Sequence, residues 1–584
     1  MTDSYTAPVE ELNFILNDVL GCESLLELPA FADLDRTMVD SVLTEGARFC
    51  EQVLAPLNAA GDAQPAFLEA GRVRMPTGYH AAYRQFAADG WLGLDLPPAC
   101  GGQGLPRTVQ AAFAEMVNGA CVAFAMLPVT QRAAARLLMA HGSEALKAKW
   151  LEPLVRGEVG ATIVITEAGA GSDVGRIATL ATPAGDGRYL LNGTKIFISN
   201  GDQDLTNGIL HMVLARTPDA PAGTRGLSLF LVPAHPDHTQ VVRLEHKMGL
   251  KGSPTCVLNF DGASGWPLGE SGRGLNALFT MVNTMRLEVG VQAVALAGAA
   301  LAKALRYAVE RRQGGAPDGP AVSLIKHADV RRMLLEMRAR TTAFRALTLE
   351  AALQLDIADN HPGADEAERA RRRAEWLLPI CKAGGTEAGM RVTNLAVQLF
   401  GGHGYVHESG VEQYVRDGRV GAIYEGTNGI QALDLIQRKL MSDGGERYHD
   451  FVTRIRRDID AAATPAVEPL ATRLATTLDD CDAAVAGLIA SGGRKDAEAL
   501  RRIESAATPL LELMALLGGG WMMLRVAAAS RSESAADRAR IAAADFYGQY
   551  LLPEAKVALA RIAAGHRALD TLADHEFGAG LVNE

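Results

Sequence analysis

The stretch QLFGGHGYVHESGVEQYVRDGRVGAIYEGTNGIQ, Gln398 to Gln431, sets the reading of the whole chain. It opens on QLFGGHG (Gln398–Gly404) and closes on YEGTNGIQ (Tyr424–Gln431). Paired glycines let a backbone come close to a ligand, and several such amides together can cradle a diphosphate. The second run sets one carboxylate, Glu425, among an aromatic ring, glycines and a threonine. Between the two, Arg416-Asp417 reads as a local ion pair. Taken alone, the stretch divides evenly between a ligand cradle and a Gly-rich helix–loop–helix turn with a solvated glutamate.

Outward from it, apolar residues recur at helical spacing in Ala277–Arg312, Val322–Leu355 and Ala367–Leu399. Upstream, short β-rich runs (Thr162–Ile165, Tyr189–Leu191, Lys195–Ile198, His211–Ala215, Leu227–Val232, Cys256–Phe260) alternate with Gly, Asp, Asn and Pro turns. They predict an antiparallel sandwich or barrel. The part before residue 160 is helical, notably Val39–Leu57 and Gln110–Leu138, and the part past Leu440 is rich in Ala, Arg, Glu and Leu. The expected fold is therefore mainly α with a central antiparallel β domain. Its domains are 1–160 (helical, with an N-terminal extension), 161–272 (β), 273–440 (a helical bundle carrying Glu425) and 441–584 (extra C-terminal helices).

At 584 residues the chain is long enough for several domains, and 48% hydrophobic against 21% charged residues supplies a large core. A net charge of −11 repels phosphate backbones, so no nucleic-acid partner is expected. The charge-free apolar stretches Val289–Ala302 and Leu513–Leu524 are of core-helix length, so no membrane span is expected. The start, MTDSYTAPVEEL, has neither a basic leader nor an apolar core. Seven scattered cysteines lack CxxC or Cys/His ligand spacing, which predicts no metal site and reduced thiols in a cytoplasmic protein.

A further cluster, ITEAGAGSD (Ile165–Asp173), ends a β run with Gly169, Gly171 and Ser172 in a loop suited to an anion. It lacks a Walker lysine and opens no helix after a parallel strand, so neither a P-loop nor a Rossmann reading is supported. In order come GTKIFISNG (Gly193–Gly201), HKMGLKGS (His246–Ser253), ERRQGG (Glu310–Gly315), QLFGGHGY and YEGTNGIQ. One such motif is weak, but six in this order resemble the acyl-CoA dehydrogenase family over about residues 40–440. The appendix and SYTAPVEELNFIL resemble its long branch, which includes 3-methylmercaptopropionyl-CoA and bacterial fatty-acyl-CoA dehydrogenases.

The resemblance implies an acyl-CoA dehydrogenase-like fold, FAD as cofactor, and a role for each residue. Thr166 and Ser199 would hydrogen-bond the flavin ring, Ser199 near N5, with Ile163, Ile165 and Ile198 beside them. Phe197 would lie against the ring where many relatives carry Trp. Ser172 would sit near the pyrophosphate and the CoA of the thioester. Arg311, Gln313, Gln398, Gly401 and Gly402 would hold the diphosphate and adenosine end, joined by Thr427 and Gly429. Asn283, Arg286, Tyr424 and Gly426 would meet substrate. The chain departs from the common pattern at Cys100, in CGGQG, and at Gly314.

The implied reaction removes an α-proton from an acyl thioester and a β-hydrogen as hydride. Glu425 is the implied base. Some relatives carry that glutamate at the position of Met285, where this chain has none. In the family, two donors on the thioester oxygen (the backbone N–H of the glutamate and a ribityl hydroxyl) stabilise the enolate, and water exclusion raises the carboxylate's basicity. Electron-transfer flavoprotein is the implied acceptor. An oxygen-reducing oxidase, a non-catalytic relative and a DNA-binding relative remain as alternatives. The tail pocket would include Ala123–Thr130. The amphipathic stretches Leu474–Leu488 and Arg538–Tyr550 are expected to pack on the core. Arg286 and Arg311 read as one helix, and at about 1.5 Å per residue they lie roughly 37 Å apart. That span exceeds an extended FAD, so a homodimer or dimer of dimers sharing FAD is expected.

Overall fold

A computed structural model describes residues 5–579 apart from 463–464, 466 and 493–495. The first four residues, on which part of the reading of the start rests, lie outside the described residues. Four long helices form the centre: Arg107–His141, Gly274–Glu310, Ala328–Asn360 and Ala364–Phe400. The first and last run past the periodic segments that announced them at both ends, whereas Gly274–Glu310 stops two residues short of Arg312 and Ala328–Asn360 begins six residues after Val322, behind the 3-10 turn Leu324–Lys326. Small residues let them approach: a Cβ on Gly384 would stand 2.8 Å from the Phe344 ring and 2.7 Å from Ala515. The helix Arg107–His141 is interrupted at Cys121, whose φ/ψ of −158°/90° is extended, and Tyr79 Oη lies 3.4 Å from its Sγ.

The expectation of no segment reaching membrane length needs correcting. By length and composition, Arg107–His141, Gly274–Glu310 and Ala497–Ala529 could each cross a bilayer. Isolated charges and Gly interrupt the apolar text without interrupting the helices. Their apolar windows are 94%, 78% and 83% buried inside the protein.

The β region is one seven-stranded sheet. Strands Leu180–Gly185, Arg188–Ser199, Thr255–Leu268, Leu227–Pro233 and Gly208–Arg216 pair in sequence, and the last bonds back to the first through Leu180 and Arg216. These pairings close a ring. Most are antiparallel, but Val159–Val164 adds to Gly208–Arg216 in parallel. The ITEAGAGSD loop thus does follow a parallel strand, although it leads into a single 3-10 turn, Val174–Arg176, and no helix. Three elements do not announce themselves: Leu180–Gly185 (LATPAG) is broken by Pro183 and Gly185, Thr239–Leu244 (TQVVRL) has adjacent valines in place of alternation, and the hairpin Phe67–Glu69/Arg72–Arg74 in the helical N-terminal part has strands of three residues.

The C-terminal helices pack on the centre. Leu474, Leu478, Cys481, Val485 and Leu488 form the buried stripe of Glu468–Gly492, and Ala497–Ala529 buries Trp521 and Met514. Arg454 and Arg525 both reach Glu350, whose side chain is 1% exposed on Ala328–Asn360. Arg525 also donates to Val19 O at 2.6 Å, and Arg540 pairs with Glu11 at 2.7 Å. The two ends of the chain are therefore joined to each other and to the centre.

Candidate active site

Glu425 sits in the loop between the short helix Val411–Gly418 and the helix Asn428–Leu433. It is half-buried and adopts φ +54°, a left-handed conformation that costs a non-Gly residue of order 1 kcal/mol or more and clusters at functional sites. Gly426 follows at φ +85°. The loop is pinned from below. Thr427 caps the next helix by accepting from Ile430 N, and Gln431 Nε2 donates to the carbonyls of Glu425 and Gly426 at 3.3 and 3.4 Å. Lys382, fully buried on Ala364–Phe400, donates to Gly426 O at 2.7 Å and to Asn428 Oδ1 at 3.1 Å.

Burial pushes the Glu425 carboxyl up to about 7, against the opposing pull of the Lys382 and Arg286 cations. Lys382 is itself pushed down to about 8, chiefly by burial, with Glu425 opposing. Arg286 is buried and pairs with Asp434 at 3.0 Å, while its Nε has no hydrogen-bond partner. A carboxyl with such a pKa is a base near neutral pH that still holds its proton reluctantly enough to give it up.

Tyr424 turns its hydroxyl onto Gln292 Oε1, and Gln292 Nε2 donates on to Asn118 Oδ1 at 3.3 Å. Asn283 is half-buried one turn before Arg286, on the same helix. Tyr424, Glu425, Gly426, Thr427, Arg286 and Asn283 thus form one neighbourhood, with Gly429 exposed at its edge.

A second neighbourhood lies on the β ring. Ile196 N donates to Thr166 O at 2.9 Å, which brings ITEAGAGSD beside the strand Arg188–Ser199. Buried Lys195 holds Glu167 at 2.9 Å and Ile165 O at 2.8 Å, so the loop's start is fixed. A bulge between Lys195 and Ile198 turns Phe197 outward at φ +59° and 60% exposure. Ile163, Ile165, Thr166 and Ser199 are half-buried and Ser172 is exposed. Ile198 turns inward at 2% exposure, so its side chain does not share the open face of Phe197.

The third group is at the far end of Gly274–Glu310. Arg311 ends that helix in an extended conformation and Gln313 N donates to Val322 O. Tyr307 stacks on Phe400 at 4.0 Å, which brings this end beside Gln398, Gly401 and Gly402. Arg311, Gln313, Gln398, Gly401 and Gly402 are all exposed. Arg311 and Arg286 do lie along one helix line, so the third group does not join the first within this chain.

Arg416 and Asp417 do not pair with each other. Arg416 binds Asp62 and Glu412 at 2.7 and 2.5 Å, while buried Asp417 accepts from Leu250 N at 2.6 Å. Adjacent helical residues point about 100° apart, so each finds its own partner.

Sequence reasoning passed over Lys382, Gln431, Asp434 and Gln292. The lysine had a signal, one charge in the apolar and small run WLLPICKAGG. The other three are ordinary polar letters on helices and become visible only through their contacts.

The residues present fit a flavin. An outward aromatic at positive φ beside a hydroxyl-lined loop is a costly surface unless a planar group covers it, and a Cβ at Gly401 or Gly402 would meet nothing within 4 Å. That leaves the Gly-Gly turn open to a diphosphate.

Sequence models for the acyl-CoA dehydrogenase N-terminal, middle and C-terminal domains match residues 40–158, 162–263 and 272–441. A fourth, acetyl-CoA dehydrogenase C-terminal like, matches 451–572. The 3-methylmercaptopropionyl-CoA dehydrogenase of Ruegeria pomeroyi is 39% identical, over 96% of this chain and 98% of the relative. The broad-specificity linear acyl-CoA dehydrogenase FadE5 of Mycobacterium tuberculosis is 31% identical, over 94% and 96%. Among solved structures, butyryl-CoA dehydrogenase of Megasphaera elsdenii is 27% identical with a TM-score of 0.58, covering 69% of this chain and 97% of its own. Caenorhabditis elegans ACDH-11, in complex with C11-CoA, shares the fold over 92% of this chain and 91% of its own, with a TM-score of 0.75 at 21% identity. The chain belongs to the acyl-CoA dehydrogenase family, a family of FAD-dependent flavoprotein oxidoreductases.

Proposed function

We propose that the protein converts a saturated acyl-CoA to its trans-2-enoyl-CoA with Glu425 as the base. The observation that carries this reading is the half-buried Glu425 carboxyl, held at about 7 in a strained loop beside Arg286 and Lys382. Family membership supplies the acyl-CoA and the flavin. FAD, when bound, supplies the oxidising ring that accepts the β-hydrogen with its electron pair. Glu425 takes the α-proton as that hydrogen leaves, so two electrons and two hydrogens depart and one C=C bond forms. Phe197 would cover one face of the ring, while Thr166 and Ser199 would hold its edge by hydrogen bonds. Lys382 and Gln431 keep the Glu425–Gly426 backbone in place, so the base needs no reorganisation.

We further propose that Arg311, Gln398, Gly401 and Gly402 serve the FAD of a neighbouring chain. Arg286 and Arg311 stand roughly 37 Å apart at about 1.5 Å per residue, more than one extended FAD covers. The acceptor in this reading is electron-transfer flavoprotein. The test is anaerobic addition of saturated acyl-CoAs to the yellow protein. Flavin bleaching, enoyl-CoA formation and reoxidation by the carrier are expected. A flavin that no acyl-CoA bleaches would falsify the reaction, and stoichiometric peroxide in air without response to the carrier would replace the acceptor by oxygen.

A further inference from the structure

Two buried cations act on the Glu425 carboxyl: Lys382 from the helix Ala364–Phe400 and Arg286 from Gly274–Glu310. Among the described residues, Glu425 forms an ion pair with neither. The reason lies in what else each cation holds. Lys382 Nζ donates to Gly426 O at 2.7 Å and to Asn428 Oδ1 at 3.1 Å, two uncharged acceptors. Arg286 Nη1 donates to Asp434 Oδ2 at 3.0 Å, and the two side chains are 7% and 5% exposed. Asp434 opens the segment Asp434–Leu440, which continues the helix Asn428–Leu433 that begins three residues past Glu425. Its other oxygen, Oδ1, takes Arg438 at 3.5 Å. Both arginines lie against the Phe279 ring, 5.7 and 5.9 Å from its centre. Asp434 is therefore held by Arg438 while it holds Arg286.

A carboxylate joined directly to an arginine is stabilised in its charged form and takes up a proton only about one to three pH units lower. Such a pair would leave Glu425 ionised but a poor base, since a general base works best with a proton affinity near the operating pH. Burial instead pushes its carboxyl up to about 7. An arginine buried without a carboxylate is costly, and the second carboxylate that acts on Arg286, after Asp434, is that of Glu425. The other groups around the base leave this balance alone. Burial pushes the Tyr424 hydroxyl up, so it stays neutral, and Glu387 accepts from Asn428 at 2.8 Å.

We propose that Asp434 is a positioning residue for the proton abstraction: it diverts Arg286 from Glu425 and so leaves the base free to take a proton. This rests on the reading of Glu425 as the base and deepens it.

The experiment uses the full-length, FAD-loaded protein and the saturated acyl-CoA that bleaches it fastest, and follows anaerobic bleaching from pH 5 to pH 9. In the parent the rate should rise with pH through about 7. Asp434→Ala should move that limb down by about one pH unit or more and lower the plateau about ten-fold. Asp434→Asn keeps the size and one acceptor oxygen, so it should fold as the parent does and move the limb the same way by less. Adding Arg286→Met to Asp434→Asn should return the limb to about 7 or above, because the diverted cation is gone. An Asp434 that only supports the fold would lower the melting temperature and leave the limb in place, and that result overturns the proposal. So does a downward move that survives the loss of Arg286. If no acyl-CoA bleaches the parent, or Glu425→Gln turns over as the parent does, the reading of Glu425 as the base falls and takes this one with it. Bleaching with a limb unmoved by either Asp434 substitution overturns this one alone.

Discussion

Lys382 Nζ donates to the carbonyl of Gly426 at 2.7 Å, so a fully buried ammonium anchors the residue that follows Glu425. It acts in two ways, fixing a left-handed backbone and lowering the carboxyl's proton affinity. Lys382→Met should move the acid limb of the rate–pH profile to higher pH and cut turnover at pH 7 about five-fold, because a limb displaced from about 7 by roughly one pH unit lowers the ionised fraction at pH 7 from about one half to about one tenth. Lys382→Arg, which keeps the charge, should recover the position of the limb better than the rate. A profile that stays in place in Lys382→Met would assign the lysine to backbone support alone.

Glu425 makes a paired prediction about rate and stability. Activity should rise with pH through about 7 as the carboxyl ionises. Between 4.5 and about 7 the folded chain binds a proton that the unfolded chain has released, so stability falls as pH rises through that window. Glu425→Gln removes this cost and should be more stable than the parent at pH 8, by on the order of 2–3 kcal/mol at most. It should lose roughly a thousand-fold in turnover. Melting curves at pH 5 and pH 8, with anaerobic single-turnover traces, read both effects.

Arg311→Ala should release FAD and weaken self-association together, because its side chain is exposed at the helix end beside the open Gly401-Gly402 turn. Sedimentation with simultaneous flavin absorbance reads both. An FAD-replete, active monomer would leave Arg311 as a helix terminus and nothing more.

A chain ending near Leu440 should aggregate. Removing Arg454 and Arg525 strands Glu350 in the core, and baring the packing surface of Trp521 and Met514 exposes apolar helix. The point substitution Glu350→Ala should cost about 3 kcal/mol by leaving Arg454 without a carboxylate and Arg525 with only the longer contact to Asp458 at 3.8 Å. Denaturant midpoints would show it, and a soluble truncated protein with unaltered KM would give the appendix another purpose.

Much of this was legible in the letters. Glu425 and the Gly-Gly turn of Gly401-Gly402 did not announce themselves, since their letters alone divide evenly between a ligand cradle and an ordinary turn, and it was the order of six motifs that singled them out, whereas the long helices were legible because an apolar stripe repeats. The strands Leu180–Gly185 and Thr239–Leu244 were not, since Pro183 and Gly185 read as a turn in the first and adjacent valines break the alternation of the second. The length of the apolar helices was misjudged because charges such as Arg132 and Glu288 look like interruptions until they are seen to pair inside. Lys382 was hidden for a related reason. Its partners are a carbonyl and an amide from a loop more than forty residues away, which no local pattern encodes.

The single helix Gly274–Glu310 joins the residue beside the base to the residue at the exposed far end. It behaves as a ruler with a fixed phase. Inserting one residue between Arg286 and Arg311 would turn one end by about 100° against the other and lengthen the span by about 1.5 Å. A whole extra turn would restore the phase but displace the far end by about 5.4 Å. Neither edit keeps both ends in register, so residues 287–310 should refuse any change in their number, while substitutions are tolerated freely only at exposed positions near the far end such as Leu305, Val309 and Glu310.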